Sequence, residues 1–182
     1  MPAIVIGLSG KRRSGKTLAA EYFIDFEPFF QKMSFADSLR EMFSIDFGVP
    51  IAYLTDDARK ESYREALIGY SKAKKEADPN IFINHLLERI GEHDLVVIDD
   101  VRFIPEYAAV IRVGGVCYKV ECDSVRKALR GWTYDPIIDT DSSETELDIP
   151  GFIFQEHGGG VIWNNKSKDD LAQQVQEILL RL

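Results

Sequence analysis

The residues with the clearest chemistry form a short glycine-rich run near the start of the chain. Gly10 and Gly15, followed by Lys16 and Thr17, match the spacing G-x-x-x-x-G-K-[ST]. Glycines let a backbone curl until its N–H groups converge on phosphate oxygens, at the positive end of the helix that follows. The spacing predicts a phosphate-binding loop in which Lys16 neutralises the β- and γ-phosphates of ATP and Thr17 ligates Mg²⁺. The loop residues expected to contact the nucleotide are Gly10, Lys11, Arg12, Ser14, Gly15, Lys16 and Thr17.

Two carboxylates, Asp99 and Asp100, follow an apolar run at residues 94–98 (DLVVI). A short run of apolar, β-branched residues predicts a strand that is buried on both faces of a sheet. A carboxylate at the end of such a strand resembles the Walker B arrangement, in which it holds Mg²⁺ directly or through water. Because side chains alternate along a strand, only one of the two aspartates is expected to face the metal.

The elements that must position these groups alternate between strands and helices along the chain. Strand-like runs lie at residues 3–8, 31–35, 94–98, 116–120 and 159–163. Helix-like segments lie at residues 17–26, 38–47, 56–77, 81–90, 105–113 and 169–182, with Asp37 as the expected N-cap of the second. This alternation predicts an α/β, three-layer P-loop NTPase fold with a parallel sheet flanked by helices. We expect one domain over residues 1–182, with a helical region at about 36–90 and a polar lid at about 124–150.

The charge of the chain limits its partners. The 182 residues carry 22 basic and 30 acidic side chains, which is a formal net charge of −8. Such a chain repels nucleic acid and anionic membranes, so neither is an expected partner. No apolar stretch approaches the roughly 20 residues of a membrane span and no signal peptide is recognisable, so we expect a cytoplasmic protein. A small phosphorylated substrate is compatible with this charge if basic residues gather locally.

The phosphate-binding loop does not by itself name a reaction, because such loops serve kinases, switches and motors. A GTPase switch needs an N-K-x-D segment, and residues 165–169 (NKSKD) place the aspartate one position late. A short chain with a polar, arginine-bearing lid fits a kinase of small molecules, which must close over both substrates to exclude water. Arg126 and Arg130 lie four residues apart in that lid and could reach the transferring phosphoryl group.

Four segments together resemble one family of kinases. Residues 100–103 (DVRF), followed by Glu106, resemble the D-V-R-F-x-N-E signature of bacteriophage deoxynucleoside monophosphate kinases, with Pro105 in place of the asparagine. Residues 33–40 (MSFADSLR) resemble the segment of nucleoside monophosphate kinases in which an aspartate and a basic residue meet the monophosphate. Residues 78–82 (DPNIF) and the pair Ser143 and Glu144 also have counterparts. The resemblance covers most of the chain in the same order.

This resemblance implies phosphoryl transfer from ATP to a deoxynucleoside 5′-monophosphate, a small-molecule substrate. It implies that the helical region binds the monophosphate, that the chain works in the host cytoplasm if it is of phage origin, and that a homodimer is compatible with the family. The residues implied in the acceptor site are Asp37, Arg40, Arg102, Glu106, Ser143 and Glu144. Those expected to act on the transferring group are Lys16, Arg102, Arg126 and Arg130. Asn164 or Asn165, before the last helix, is expected to lie beside the ATP base.

Two alternatives stay open. The first is a kinase of another small metabolite, such as dephospho-coenzyme A, although the longer glycine-rich loop of that family is missing. The second belongs to a different class, a nucleotide-dependent switch that does not turn over a second substrate.

Overall fold

A computed structural model of the protein describes residues 3–56, 59–133, 149 and 151–182, and its five strands form one parallel sheet. The strands are β1 (Ile4–Ser9), β2 (Gln31–Met33), β3 (Leu95–Val101), β4 (Val116–Glu121) and β5 (Gly160–Trp163). The helices of the described residues are α1 (Lys16–Phe26), α2 (Phe35–Phe47), α3 (Ile51–Thr55), α4 (Lys60–Ala77), α5 (Ile81–Ile90), α6 (Ile104–Arg112), α7 (Ser124–Leu129), α8 (Gly151–Glu156) and α9 (Lys168–Leu179). The chain divides into two units, one of residues 1–33 and 90–182 and the other of residues 34–89.

The strand order is β2-β3-β1-β4-β5, and every neighbouring pair is parallel. β1 therefore lies in the middle of the sheet, between β3 and β4, which is why its residues are apolar on both faces. The carboxyl ends of parallel strands meet at one edge. The loops after β1, β3, β4 and β5 consequently share that edge of the first unit.

Helices cover both faces of this sheet. On one face Ile6 and Val120 belong to a buried cluster with Phe23 of α1 and Leu171 of α9. On the other face Tyr107 of α6 and Phe154 of α8 contact each other edge to face, with 5.4 Å between ring centroids. The three-layer α/β arrangement predicted from the sequence is confirmed.

The unit of residues 34–89 is helical, and its helices α2 and α4 meet through an aromatic and polar cluster. The Tyr70 ring lies 5.4 Å from that of Phe43 and 5.6 Å from that of Phe47. The Tyr70 hydroxyl donates to Asp46 Oδ2 at 2.7 Å, and Lys74 Nζ lies 2.8 Å from the same oxygen. The hydrogen bond from Lys74 holds the pKa of Asp46 below its usual value.

The start of α2 differs from the sequence prediction. The helix begins at Phe35, three residues before the expected position, and Ser34 is its N-cap. The Ser34 hydroxyl accepts a hydrogen bond from the backbone N–H of Asp37 at 3.0 Å. Serine followed three residues later by an acidic residue is the pattern of a capping box, so Ser34 rather than Asp37 satisfies the first-turn donors. The prediction of Asp37 as N-cap was wrong, and the short helices α3 and α8 were not predicted.

Among the described residues, no helix has both the length and the apolar character needed to cross a membrane.

Candidate active site

The loop of residues 10–15 leaves β1 and enters α1 with an unusual backbone. Gly10 has φ +150 and Gly15 has φ +105, both in the region that favours glycine, and Arg13 has φ 61. A Cβ on Gly10 would lie 2.4 Å from the backbone oxygen of Val120, so the loop runs against β4. The first N–H groups of a helix have no acceptor within the helix. The loop thus presents the donors of the α1 N-terminus at the carboxyl edge of the sheet, as the spacing predicts.

The Lys16 side chain lies across the mouth of this loop. Its Nζ donates to the backbone oxygen of Gly10 at 2.5 Å and to that of Lys11 at 3.1 Å. Lys11 and Arg12 are exposed at the tip of the loop. The ammonium group of Lys16 therefore lies beside the backbone N–H groups of the loop, and such a combination favours the binding of nucleotide phosphates.

Thr17 and Asp99 come together although they lie 82 residues apart in sequence. The Thr17 hydroxyl lies 3.3 Å from Asp99 Oδ2, and Lys32 Nζ lies 3.7 Å from the same oxygen. Asp100 is buried, with 8% of its surface exposed. Of the two aspartates expected near the metal, the structure brings Asp99 to the threonine of the phosphate loop.

Glu106 organises the chain around Arg102. Its Oε2 accepts hydrogen bonds from the backbone N–H of Arg102 at 2.8 Å and from that of Phe103 at 3.1 Å. The carboxylate is buried at 8% exposure and closes the first turn of α6. Glutamate at the third position of a helix caps in this way. The structure therefore gives Glu106 a capping role that holds the backbone of Arg102 at the end of β3.

The two asparagines after β5 have different surroundings. Asn164 is buried, and its Nδ2 donates to the backbone oxygen of Ser14 at 2.8 Å. Its Oδ1 accepts from Arg130 Nη2 at 3.1 Å. The side chain of Asn165 instead accepts from the backbone N–H of Asp123, just before α7, at 2.8 Å. Asn164 thus contacts the phosphate loop, and Asn165 connects the β5–α9 loop to α7.

The predicted arginine pair separates in the structure. Arg126 lies on the exposed surface of α7, where its backbone N–H donates to the Asp123 side chain. Arg130 follows the end of α7 and turns its guanidinium to Asn164. Lys127 lies between them and was not predicted as a site residue. It is buried, with its Nζ 5.0 Å from the ring centroid of Trp132. Basic residues are common on exposed helices, so only the packing singles it out.

A cavity of about 630 Å³ lies beside the phosphate loop and is lined by Thr17, Asn164 and ten other described residues. Half of the twelve described residues that line it are basic, and none of the twelve is acidic. The basic residues are Arg13, Lys16, Lys127, Arg130, Lys166 and Lys168. This local excess of positive charge, on a chain of formal net charge −8, is the gathering of basic residues that a polyanionic ligand requires.

The remaining predicted residues lie elsewhere. In the helical unit, Arg40 Nη1 lies 2.8 Å from Asp37 Oδ1 within α2, and both side chains are partly exposed. Ser143 and Glu144 lie outside the described residues, as do residues 134–148 as a whole.

Solved structures of several kinases share this fold at low sequence identity. A shikimate kinase from Acinetobacter baumannii matches with a TM-score of 0.55 and 15% identity, covering 98% of this chain and 94% of its own. A dephospho-CoA kinase from Campylobacter jejuni matches with a TM-score of 0.54 and 11% identity, covering 100% and 98%. A Thermus thermophilus protein matches with a TM-score of 0.61 and 18% identity, covering 100% and 99%.

The chain is also similar in sequence to a viral protein. It is 28% identical to a protein of Acanthamoeba polyphaga mimivirus that is provisionally named a deoxynucleotide monophosphate kinase, with 94% of each chain covered.

The sheet order, the phosphate loop and these relatives define a kinase of the P-loop type. The family model described as phosphomevalonate kinase matches residues 8–112, more than half of the chain, and the chain belongs to that family. The matched segment runs from the end of β1 to the end of α6, so it contains the loop, Asp99 and Arg102.

Proposed function

We propose that this kinase transfers the terminal phosphoryl group of ATP to a deoxynucleoside 5′-monophosphate. The observation that carries the donor half is the 3.3 Å approach of Thr17 to Asp99, next to Lys16 and the basic cavity. The acceptor half is supported by the D-V-R-F resemblance at residues 100–103 and by the name of the mimivirus relative.

The residues of the loop suit a nucleoside triphosphate with Mg²⁺. The Thr17 hydroxyl and the Asp99 carboxylate are both oxygen donors, which Mg²⁺ prefers, and they are near enough to share one ion directly or through water. The bound ion would neutralise charge on the β- and γ-phosphates. Lys16 Nζ, now held by two loop carbonyls, would exchange them for phosphate oxygens. The backbone donors at the start of α1 would orient the same phosphates.

The cations around the cavity would stabilise the negative charge that spreads over the transferring phosphoryl group. In phosphoryl transfer the protein mainly positions two polyanions and stabilises negative charge. Arg130 lines the cavity together with Lys16, so its planar guanidinium would face phosphates bound there. Lys127 is buried beside Trp132, and that tryptophan lines the cavity, where a base could pack against its ring. We propose Arg126 for the same group from the surface of α7.

For the acceptor we propose Arg102 as the phosphate-binding residue. Glu106 holds the Arg102 backbone by one hydrogen bond, so the guanidinium starts from a fixed point at the end of β3. Asp37 and Arg40 on α2 form an ion pair, and we propose that they meet the monophosphate through the arginine. Ser143 and Glu144 stay proposals from the resemblance alone.

A second acceptor class follows from the family to which the chain belongs. Phosphomevalonate, named in the description of that family, is also a phosphate monoester. A site built on arginine donors to a phosphate would accept either compound, and contacts to the rest of the acceptor would decide between them. The dephospho-CoA kinase shares only the fold, so that acceptor has weaker support.

The acceptor is identified by ADP release in a coupled assay with Mg²⁺-ATP. The panel contains the deoxynucleoside and ribonucleoside monophosphates, phosphomevalonate and dephospho-coenzyme A, each with a blank lacking acceptor. Turnover that depends on a deoxynucleoside monophosphate supports the proposal. Turnover with phosphomevalonate alone would replace it with the second candidate. ATP binding without turnover of any compound in the panel would contradict both.

Two substitutions separate the halves of the site. Lys16→Ala should lower kcat by roughly 10²- to 10³-fold, since it removes a charge from the transferring phosphoryl group. Arg102→Ala should raise the KM for the monophosphate or lower kcat while the Kd for ATP stays unchanged. Arg112, exposed at the far end of α6, offers a matched control, and Arg112→Ala should behave like the wild type. If Arg102→Ala also behaves like the wild type, the acceptor assignment is wrong.

A further inference from the structure

Asn164 occupies a buried position between three loops of the site. Its backbone N–H donates to the backbone oxygen of Glu121 at 2.7 Å, which fixes it at the end of the β4–β5 pair. Its side chain is 3% exposed and donates to the backbone oxygen of Ser14 at 2.8 Å, across 150 residues of sequence. The side-chain amide of Asn164 therefore holds the backbone of the phosphate loop, although the two lie far apart in sequence.

The other end of the same amide holds Arg130. Arg130 Nη2 donates to Asn164 Oδ1 at 3.1 Å and to the backbone oxygen of Lys166 at 3.3 Å. The orientation of the amide follows from its partners. A carbonyl accepts and a guanidinium donates, so the reversed amide would place like groups together at both ends. One side chain thus satisfies the loop with its N–H group and the arginine with its oxygen.

The side chain of Asn164 packs tightly against the phosphate loop. A Cβ on Gly15 would lie 2.2 Å from Asn164 Nδ2, so the amide packs directly on the backbone of the second motif glycine. A side chain at residue 15 would displace the amide, which gives this glycine a steric role besides its φ of +105. If the loop, the Asn164 amide or Arg130 moved alone, at least one of the hydrogen bonds that connect them would therefore break.

We propose that Asn164 is a positioning residue that couples Arg130 to the phosphate loop. Phosphate in the loop would favour the loop conformation that Asn164 supports, and this conformation keeps Asn164 Oδ1 in place for the arginine. The reciprocal also holds, because a coupling free energy acts equally in both directions. The inference rests on the proposed function only in that the polyphosphate of ATP is the ligand of the loop.

A double-mutant cycle on the Kd for Mg²⁺-ATP tests this coupling. The proteins are the wild type, Asn164→Ala, Arg130→Ala and the double variant, and direct calorimetric titration needs no acceptor. Asn164→Ala should weaken ATP binding roughly tenfold, since it leaves the Ser14 carbonyl without its amide. Arg130→Ala should weaken binding in the wild-type background and have little further effect in the Asn164→Ala background.

Asn164→Asp separates the two ends of the amide. The aspartate keeps an acceptor for Arg130 but cannot donate to the Ser14 oxygen, so ATP binding should weaken as in Asn164→Ala. Gln173→Ala, on the exposed surface of α9, is the matched control and should bind ATP like the wild type. If Asn164 only stabilised the fold, Asn164→Ala would lower Tm, but Arg130→Ala would still weaken ATP binding in the Asn164→Ala background. The Asp variant keeps the test decisive if Asn164→Ala does not fold.

The outcomes distinguish this inference from the proposed function. Additive effects of the two alanine substitutions, or an unchanged Kd in Asn164→Asp, would overturn the coupling alone. ATP binding with the expected cycle but no turnover of a deoxynucleoside monophosphate would overturn the proposed function alone. A wild-type protein that binds no ATP would overturn both.

Discussion

The hydroxyl of Thr17 lies 3.3 Å from the carboxylate of Asp99, which connects the start of α1 to the end of β3. If this pair shares the Mg²⁺ of ATP, Asp99→Asn should weaken the binding of Mg²⁺-ATP and lower kcat by about 10²-fold, because a neutral amide holds the ion poorly. The Kd for ATP in excess chelator should stay unchanged. Calorimetry with and without Mg²⁺ measures both. Asp94→Asn, just before the same strand, is the matched control. Equal losses with and without Mg²⁺ would argue against a metal role.

Two substitutions of Glu106 should lower the free energy of unfolding by different amounts. Glu106→Ala removes the acceptor of two backbone N–H groups and should lower the free energy of unfolding by about 1–3 kcal/mol. Glu106→Gln keeps an acceptor oxygen and should cost less. Urea unfolding measures both values. If Glu106→Gln abolished activity at full stability, the carboxylate charge would have a role at the substrate beyond the cap.

Trp132 should report on the nucleotide. It lines the basic cavity, so its fluorescence should change when ATP binds, since a base or phosphate alters the surroundings of the indole. The chain has two tryptophans, and Trp163 is exposed on β5. Trp163→Phe isolates the signal from Trp132 and should keep the wild-type response. A response that vanished in Trp163→Phe would place the nucleotide elsewhere.

The two cysteines should differ sharply in reactivity. Cys117 is 1% exposed, and burial raises the pKa of its thiol to about 12. Cys122 is partly exposed and lines a separate cavity of about 330 Å³ with Lys11 and Ser14. A thiol reagent at pH 8 should therefore modify one cysteine in the folded protein and two in denaturant. Rapid modification of both in the folded state would contradict the burial of Cys117.

The same burial predicts how stability depends on pH. The folded pKa of Cys117 lies above the ordinary value of 9.0, so the unfolded chain loses this proton first as pH rises. The contribution of the Cys117 thiol to the free energy of unfolding is fully present below pH 9. It should be lost between pH 9 and 12, by at most about 1.4 kcal/mol per pH unit. Urea unfolding at pH 8, 9 and 10 should show a shallower decline for Cys117→Ala than for the wild type. Parallel declines would exclude Cys117 as the cause.

The fold and the donor loop were open to prediction because their signals are local. The spacing from Gly10 to Thr17 and the buried runs at β1 and β3 each lie within a few residues, and backbone conformation and burial follow from them. The start of α2 was misplaced for a local reason too, because Ser34 and Asp37 are both good N-caps and only the helix register chooses between them.

By itself, the sequence determined a phosphate-binding loop on a parallel α/β sheet, since residue type and spacing dictate both. Only the tertiary structure decided which aspartate meets Thr17 and that Asn164 bridges Ser14 and Arg130. Thr17 and Asp99 are 82 residues apart, and Asn164 and Ser14 are 150 apart. Contacts over such separations depend on strand order and register, and no short pattern encodes them.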